Sequence, residues 1–311
     1  MPKFFTDGIT NKLIGCFHAD SRQNDEVLLV RIYGNRTDLL IDRNAEKINI
    51  AFLHRHGLAP ELYATFNNGL VYEFVPGVTL NVRNVLEPKI WKLVAENMAR
   101  MHKLPLNPQE ASKEPMLKTK TIKFLDLIPE TFSDLEKHQR VVATLPSKTK
   151  LREEFDELYA ALVSTNSPVL FCHNDLLLGN VVYTEEQGKV TFIDYEYAEI
   201  NFQAFDIGNH FAEFPGIDSN SGIDYTKYPS REYQLNWLHA YLEEYNAADV
   251  TDNEVELLYK HVNKFALSSH FLWALWSLIQ AEHSTIEFDF VSFAAIRYNE
   301  YLARKDAFLN L

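Results

Sequence analysis

The sequence contains little cysteine, glycine and proline, and each shortage excludes a class of protein. Only two cysteines, Cys16 and Cys172, occur in 311 residues, so neither a disulfide framework nor paired cysteine metal ligands are expected. The 11 glycines and 12 prolines are far too few for a collagen-like or low-complexity chain. We therefore expect a globular protein of a reducing compartment.

Positive charge is also scarce. The chain has 30 Lys and Arg against 43 Asp and Glu, a formal net charge of -13. No run of basic residues supplies the stripe that a nucleic-acid binder needs, so nucleic acid is not an expected partner. An acidic surface suits a cationic small substrate, although solubility alone also accounts for it.

No apolar run is long enough to cross a membrane. The most apolar stretch, residues 265–279, is shorter than the roughly 20 residues of a spanning helix and contains Ser268, Ser269 and His270. Residues 1–10 lack the charged region and apolar core of a secretory signal. We expect a cytoplasmic protein that inserts no segment into a membrane.

Apolar and aromatic residues, by contrast, are plentiful, at 46% and 13% of the chain. Their pattern predicts strands over 27–33 and 70–75 around a helix over 44–56, and mainly helices after Pro76-Gly77, a candidate hinge. The later helices are predicted over 90–104, 151–164, 231–245, 253–283 and 290–303. The sequence therefore predicts an α+β fold with two lobes, residues 1–76 and 77–311.

One segment carries recognisable chemistry. Residues 173–180 read HNDLLLGN and residues 192–197 read FIDYEY. Strands over 180–183 and 189–194 are predicted to form an antiparallel hairpin whose paired residue numbers sum to about 373. This register brings Asn180 towards Asp194, with Asp175 on the loop that enters the hairpin. Carboxylate and amide oxygens without thiolate or imidazole favour Mg²⁺.

The same arrangement is typical of kinase-type phosphoryl transfer. There, a loop Asp accepts the proton of the substrate hydroxyl, while an Asn five residues later and a further Asp hold the metal ions. The predicted catalytic residues are Asp175 and Asn180, and the predicted metal ligands are Asn180 and Asp194. The alternative is an Asp and an Asn that only cap the loop backbone, but the three residues together at these spacings favour the enzyme.

These motifs, together with FDIGNHFAEF at residues 205–214, resemble the choline/ethanolamine kinase family. The resemblance extends over nearly the whole chain except residues 105–150. It implies a two-lobed, protein-kinase-like fold and Mg²⁺- and ATP-dependent phosphorylation of ethanolamine, the first step of the CDP-ethanolamine route to phosphatidylethanolamine. Choline kinase or dual activity is the near alternative, and a nucleotide-binding pseudokinase scaffold is the alternative of another class.

The resemblance also implies a nucleotide site in the N-terminal part. Residues 7–16 match the phosphate-covering loop, and Arg31 matches the strand lysine that contacts the phosphates in kinases, with Glu46 as its partner acid. An exposed strand arginine is the alternative for Arg31. The predicted cofactor-binding residues are Asn11, Lys12, Arg31, Glu46, Glu73 and Val75, the last two from the segment whose backbone contacts adenine.

The acceptor ammonium requires carboxylates and aromatic faces. By resemblance, the predicted substrate-binding residues are Glu196, Tyr197, Glu213, Trp273, Trp276 and Phe288. Packing in the core is the alternative for the two tryptophans and for Phe288. Leu177 and Phe293 stand where choline kinases tend to carry Gln and Tyr, which favours ethanolamine over choline. The resemblance further suggests a homodimer.

Overall fold

The computed structural model describes residues 3–5, 11–17, 27–34, 37–106, 113–216 and 222–311. The chain divides into two compact units. Unit 1 comprises Met1–Leu80 and Gly179–Ala198, and unit 2 comprises Asn81–Leu178 and Glu199–Leu311. The functional division into lobes 1–76 and 77–311 stays a prediction.

The described residues form ten strands and nine α-helices. The strands are β1 (Lys3–Phe5), β2 (Asn11–Phe17), β3 (Val27–Tyr33), β4 (Leu62–Phe66), β5 (Gly69–Glu73), β6 (Val78–Thr79), β7 (Val169–Cys172), β8 (Val181–Thr184), β9 (Lys189–Phe192) and β10 (Glu199–Phe202). The helices are α1 (Arg43–Arg55), α2 (Pro88–His102), α3 (Met116–Leu127), α4 (Leu135–Thr144), α5 (Lys148–Val163), α6 (Gln203–Ala212), α7 (Arg231–Asn246), α8 (Asp252–His283) and α9 (Phe290–Leu309). Every predicted strand and helix is present; β3 has the predicted bounds, and the others have shifted ends.

Unit 1 is built on an antiparallel sheet in the order β1-β2-β3-β5-β4. Because side chains alternate along a strand, β3 places Val27, Leu29 and Arg31 on its buried face and leaves Leu28 exposed. The prediction of a loop over residues 7–16 is wrong for residues 11–16, which belong to β2 and pair with β3 along its length. Residues 7–10 lie outside the described residues.

Helix α1 follows the sheet in unit 1 and begins at a side-chain cap. The Asp42 carboxylate accepts the N–H groups of Asn44 and Ala45 at 2.9 and 3.0 Å. Its buried face contains Glu46, Ile50 and Leu53. Helical spacing thus aims an acidic side chain at the interior of unit 1.

The hairpin of β8 and β9 completes unit 1 together with β6. Val181 pairs with Phe192, so the predicted register is confirmed. Asn180 therefore stands just before β8 and Asp194 just after β9, at the same end of the hairpin.

Unit 2 is mainly helical, with β7 and β10 as an antiparallel pair. Its longest helix, α8, begins at a capping box in which Thr251 and Glu254 satisfy each other's backbone N–H groups. Nearly all side chains of α8 from Phe265 to Ala281 are buried. Among the described residues, no helix has the length and apolarity needed to span a bilayer.

Candidate active site

Arg31 and Glu46 meet in the interior of unit 1. Arg31 comes from the buried face of β3 and Glu46 from the buried face of α1. The Arg31 Nη1 donates to Glu46 Oε1 at 2.9 Å, and both side chains are almost fully buried. A buried guanidinium is costly unless acids compensate its charge, and two further acids in unit 1 contact the same side chain.

The first of these acids is Asp194, two residues after the end of β9. The Ile193 N–H donates to the Asn180 carbonyl at 2.9 Å. This backbone hydrogen bond keeps the segment that carries Asp194 beside Asn180, the other predicted metal ligand. Asp194 has a left-handed backbone, with φ of 65°, and its carboxylate pairs with Arg31 Nη2. Desolvation by the surrounding protein atoms raises the pKa of Asp194 to about 6, although the charge of Arg31 acts to lower it. The Asp194 side chain is 31% exposed.

The second acid is Glu196, whose side chain is only 3% exposed. Its Oε2 accepts from Arg31, Arg43 and Asn11 at 2.9, 3.0 and 3.1 Å. Burial acts to raise the pKa of Glu196, but the two guanidinium groups outweigh it and lower that pKa. The contacts with Arg31 and Asn11 join Glu196 to residues predicted for the nucleotide side, and its predicted contact with the amine stays a prediction.

Oxygen atoms of Glu46, Asp194 and Glu196 all lie within 4.8 Å of one another. Arg31 and Arg43 compensate two of the three carboxylates, so the cluster keeps one negative charge. Asp194 is the most exposed of the three acids. An oxygen-only cluster with one accessible carboxylate fits a hard divalent cation such as Mg²⁺.

The catalytic-loop candidate, residues 173–177, lies in unit 2 after β7. Asp206 of α6 accepts the backbone N–H groups of His173 and Asn174 at 2.8 and 2.6 Å. Burial acts to raise the pKa of Asp206, but a hydrogen bond from His102 and these donors lower it. The buried Asp206 therefore fixes the backbone that carries Asp175, whose own side chain is half-buried.

Asn174 completes this loop in an unusual conformation. Its φ of 67° is left-handed, a region that asparagine tolerates better than most residues. The Asn174 Oδ1 accepts from Asn201 at 2.8 Å, and its Nδ2 donates to the Glu199 carbonyl at 3.1 Å. The turn that presents Asp175 is thus held on both sides by β10.

Four of the predicted amine-binding residues lie in unit 2. Glu213 follows α6, and the rings of Trp273 and Trp276 in α8 meet edge to face at 5.9 Å between centroids. Phe290 contacts Trp276 at 5.9 Å and Phe288 at 4.8 Å. The structure therefore brings both tryptophans and Phe288 into one aromatic cluster.

The family model of the choline/ethanolamine kinases matches residues 3–302. The chain belongs to this family. Ethanolamine kinase of Drosophila melanogaster is 53% identical, with 99% of this chain and 69% of that protein covered. Ethanolamine kinase 1 of Homo sapiens is 48% identical, with 97% and 67% covered.

Solved structures agree with the family assignment. The Plasmodium vivax ethanolamine kinase superposes with a TM-score of 0.85 at 28% identity, over 96% of this chain and 82% of that chain. A spectinomycin phosphotransferase in complex with ADP and spectinomycin shares the fold, with a TM-score of 0.57 at 14% identity over 100% and 93% of the two chains. The predicted family and the α+β, protein-kinase-like fold are confirmed.

The remaining predicted site residues of this choline/ethanolamine kinase family member have simpler surroundings. Lys12 is exposed on β2, and Tyr197 is buried in unit 1. Glu73 is exposed at the end of β5, where its Oε2 accepts the Glu61 N–H at 3.0 Å. Val75 is half-buried. The nucleotide-binding roles of Lys12, Glu73 and Val75 stay predictions.

Sequence reasoning missed Arg43, which contacts two acids and two polar side chains in unit 1. Its Nη1 donates to Glu46 and Glu196 at 2.9 and 3.0 Å. Its Nη2 donates to Asn11 and Thr37 at 3.2 and 2.8 Å. The only sequence signal was its place three residues before Glu46, which puts both on one side of a helix.

Proposed function

We propose that the chain catalyses the phosphorylation of ethanolamine by ATP, producing phosphoethanolamine and ADP. The observation that carries this proposal is the 48–53% identity, over nearly the whole chain, to proteins named ethanolamine kinase. A buried Arg–Glu pair in unit 1 and a pinned loop Asp in unit 2 are the parts that kinase-type phosphoryl transfer uses.

In this proposal, Asp175 orients the ethanolamine hydroxyl and takes its proton. Because the transition state of phosphoryl transfer is loose, little base strength is needed and the proton moves late. The two hydrogen bonds from the loop backbone to Asp206 support this role, since a general base must hold its position. Asp175 is also partly exposed, as a group that meets substrate has to be.

Asn180 and Asp194 are the proposed ligands of Mg²⁺, which supplies charge neutralisation at the phosphates. The exposure of Asp194 and the oxygen-only character of its cluster support this assignment. Arg31 is the proposed phosphate contact, and its fixed fork of donors suits phosphate oxygens. Asn11, Lys12, Glu73 and Val75 complete the proposed nucleotide site.

Glu213 and the aromatic cluster are the proposed recognition elements for the ammonium group. A carboxylate accepts the N–H donors of the amine, and aromatic faces attract its charge. The contacts of Glu196 and Tyr197 with the amine stay predictions from the sequence, and both residues lie in unit 1. A homodimer and a cytoplasmic location are further parts of the proposal.

The test is an ADP-release assay on the full chain with ATP and ethanolamine, with and without Mg²⁺. Phosphoethanolamine is measured directly by ³¹P NMR. Replacing Asp175→Asn is expected to lower kcat by at least about 10²-fold, the usual size of a general-base effect, while ATP binding measured by calorimetry is kept. Asp249→Asn, at an exposed loop position, is the matched control and should not change kcat.

Other outcomes separate the alternatives. Turnover of Asp175→Asn within twofold of the parent chain would contradict its role as base. A higher kcat/KM for choline than for ethanolamine would make the chain a choline kinase. Nucleotide binding without turnover of either amine would favour the pseudokinase scaffold.

A further inference from the structure

A buried chain of hydrogen bonds in unit 2 links the two walls of the proposed acceptor site. Arg297 of α9 is 2% exposed. Its Nη1 donates to Glu213 Oε1 at 2.6 Å, and its Nη2 donates to the Ser269 hydroxyl at 3.2 Å. One guanidinium therefore contacts both the loop after α6 and the middle of α8.

The series of hydrogen bonds continues from Ser269 through Asn209 to Trp273. The Ser269 hydroxyl donates to Asn209 Oδ1 at 2.8 Å, and the Trp273 indole N–H donates to the same oxygen at 2.8 Å. Ser269 and Asn209 are fully buried. The indole ring of Trp273 is thus oriented by a side chain of α6.

Which group donates and which accepts in each of these hydrogen bonds follows from Arg297 and Trp273. Arginine and tryptophan only donate, so Ser269 accepts from Arg297 and its own proton points to Asn209. The Asn209 amide must then turn its oxygen to the two donors. Its nitrogen is buried with no partner among the described residues, so only the oxygen side dictates the amide orientation.

Arg297 also changes what Glu213 offers to a cation. It is the only ion-pair partner of Glu213 in the described part of the chain. The pair carries no net charge, and one carboxylate oxygen is occupied. Attraction by charge alone is therefore weakened, while lone pairs on the second oxygen still accept N–H donors.

We propose that Arg297 is a positioning residue of the acceptor site: it fixes Glu213 directly and Trp273 through Ser269 and Asn209. By neutralising Glu213, it makes the site select amines that carry N–H donors over quaternary ammonium groups. The inference deepens the proposed function and rests on it.

Two variants test separately the hydrogen bond from Arg297 to Glu213 and the series of hydrogen bonds from Arg297 to Trp273. Arg297→Lys keeps the charge but replaces the planar fork, whose two nitrogens reach Glu213 and Ser269 separately, by one ammonium nitrogen. Ser269→Ala removes only the link to Asn209 and Trp273. Ser268→Ala is the matched control, because Ser268 is equally buried in the same helix and its hydroxyl donates to the Phe265 carbonyl at 2.7 Å.

Steady-state kinetics with ethanolamine, choline and ATP give the readout. Loss of a buried hydrogen bond is expected to raise the KM for ethanolamine by about tenfold in Arg297→Lys and about fivefold in Ser269→Ala. The KM for ATP should not change. The preference for ethanolamine over choline should persist in both variants, because each leaves a positive charge beside Glu213. It should narrow in Arg297→Gln, which removes that charge.

Thermal unfolding confirms that each variant is folded before kinetics are read. If folded Arg297→Lys and Ser269→Ala keep the KM values of the Ser268→Ala control, the chain of bonds is structural only and the proposal is overturned. An equal rise in the KM for ATP would also overturn it. A parent chain that phosphorylates no amine would instead overturn the proposed function, and the inference with it.

Discussion

Asn174 and Asp194 both have a left-handed backbone, with φ of 67° and 65°. One directly precedes the proposed base, and the other is a proposed metal ligand. Outside glycine, this conformation costs roughly 1–2 kcal/mol per residue, less for Asn and Asp. Hydrogen bonds from Asn201 to Asn174 and the ion pair of Asp194 with Arg31 hold the two residues there. Backbone strain is therefore placed where side-chain direction matters for the chemistry.

A substitution of Glu196 tests whether this acid of unit 1 supports the binding of ATP or the binding of the amine. Glu196→Gln keeps the size of the side chain but removes the charge that pairs with Arg31 and Arg43. We expect the KM for ATP to rise by about tenfold, because each guanidinium loses part of a charged hydrogen bond. The KM for ethanolamine should change less. Separate titrations of ATP and amine in the ADP-release assay measure both.

The control for this variant is Glu186→Gln, in the exposed turn of the same hairpin. It should leave both KM values unchanged. A rise confined to the KM for ethanolamine would contradict the nucleotide-side role and support the amine contact predicted from the sequence.

Single residues were predictable only where a motif marked them. Asp175, Asn180 and Asp194 stand in recognisable spacing, whereas Arg43 and Arg297 are isolated arginines in helices. Their contacts depend on which distant segments of the chain pack together, and local sequence does not encode that. Asn209 lay inside a quoted motif, yet its role depends on a tryptophan 64 residues later.

At the scale of elements, patterns predicted the hairpin better than the face of α1. The turn between β8 and β9 fixes the pairing of Val181 with Phe192, so the register followed from residue counting. In α1, Ile48 stands at helical spacing from Phe52 and Leu53, yet Ile48 is 66% exposed and Glu46 is buried. The buried Arg31 requires an acid beside it, and this requirement outweighs the apolar pattern.

Helix α7 is followed by Ala247, a non-glycine residue in a conformation that favours glycine. Ala247 caps the helix in a left-handed conformation, with φ of 51°, while its N–H donates to the Glu243 carbonyl. Glycine adopts this conformation without strain. Ala247→Gly is therefore expected to stabilise the protein by about 0.5–1 kcal/mol, measured as a higher midpoint in urea unfolding at an unchanged m-value.

The neighbouring Ala248→Gly provides the comparison for the helix cap. Ala248 is also exposed but is not among the residues with positive φ, so glycine there should only add freedom to the unfolded chain and destabilise slightly. Equal shifts for both variants would show that the left-handed cap carries no strain.

For the molecule as a whole, buried histidines set the response to acid. Burial lowers the pKa of His210 to about 4, and it lowers the pKa of His270 well below its usual value, with Arg297 and Arg304 adding to the effect. As pH falls from 6.5 towards 4, the unfolded chain binds protons at these positions before the folded protein does. Stability should therefore fall by up to about 1.4 kcal/mol per pH unit for each histidine.

Urea unfolding at several pH values between 7.5 and 5 measures this slope. His210→Gln cannot titrate and should make the slope shallower, even if its stability at pH 7.5 is lower. His56→Gln, at an exposed position, should keep the parent slope. A parent chain with constant stability across this range would contradict the assignment.

The path of the chain through unit 1 has a consequence for how the protein can be made. Arg31 and Arg43 emerge from the ribosome with Glu46, but Asp194 and Glu196 follow only after a long stretch that belongs to unit 2. Until then, two interior cations share one counter-ion, a costly state. A fragment ending at Leu80 lacks both acids and keeps that imbalance permanently, so we expect that unit 1 cannot be produced as an independent fragment by truncating the gene at one place.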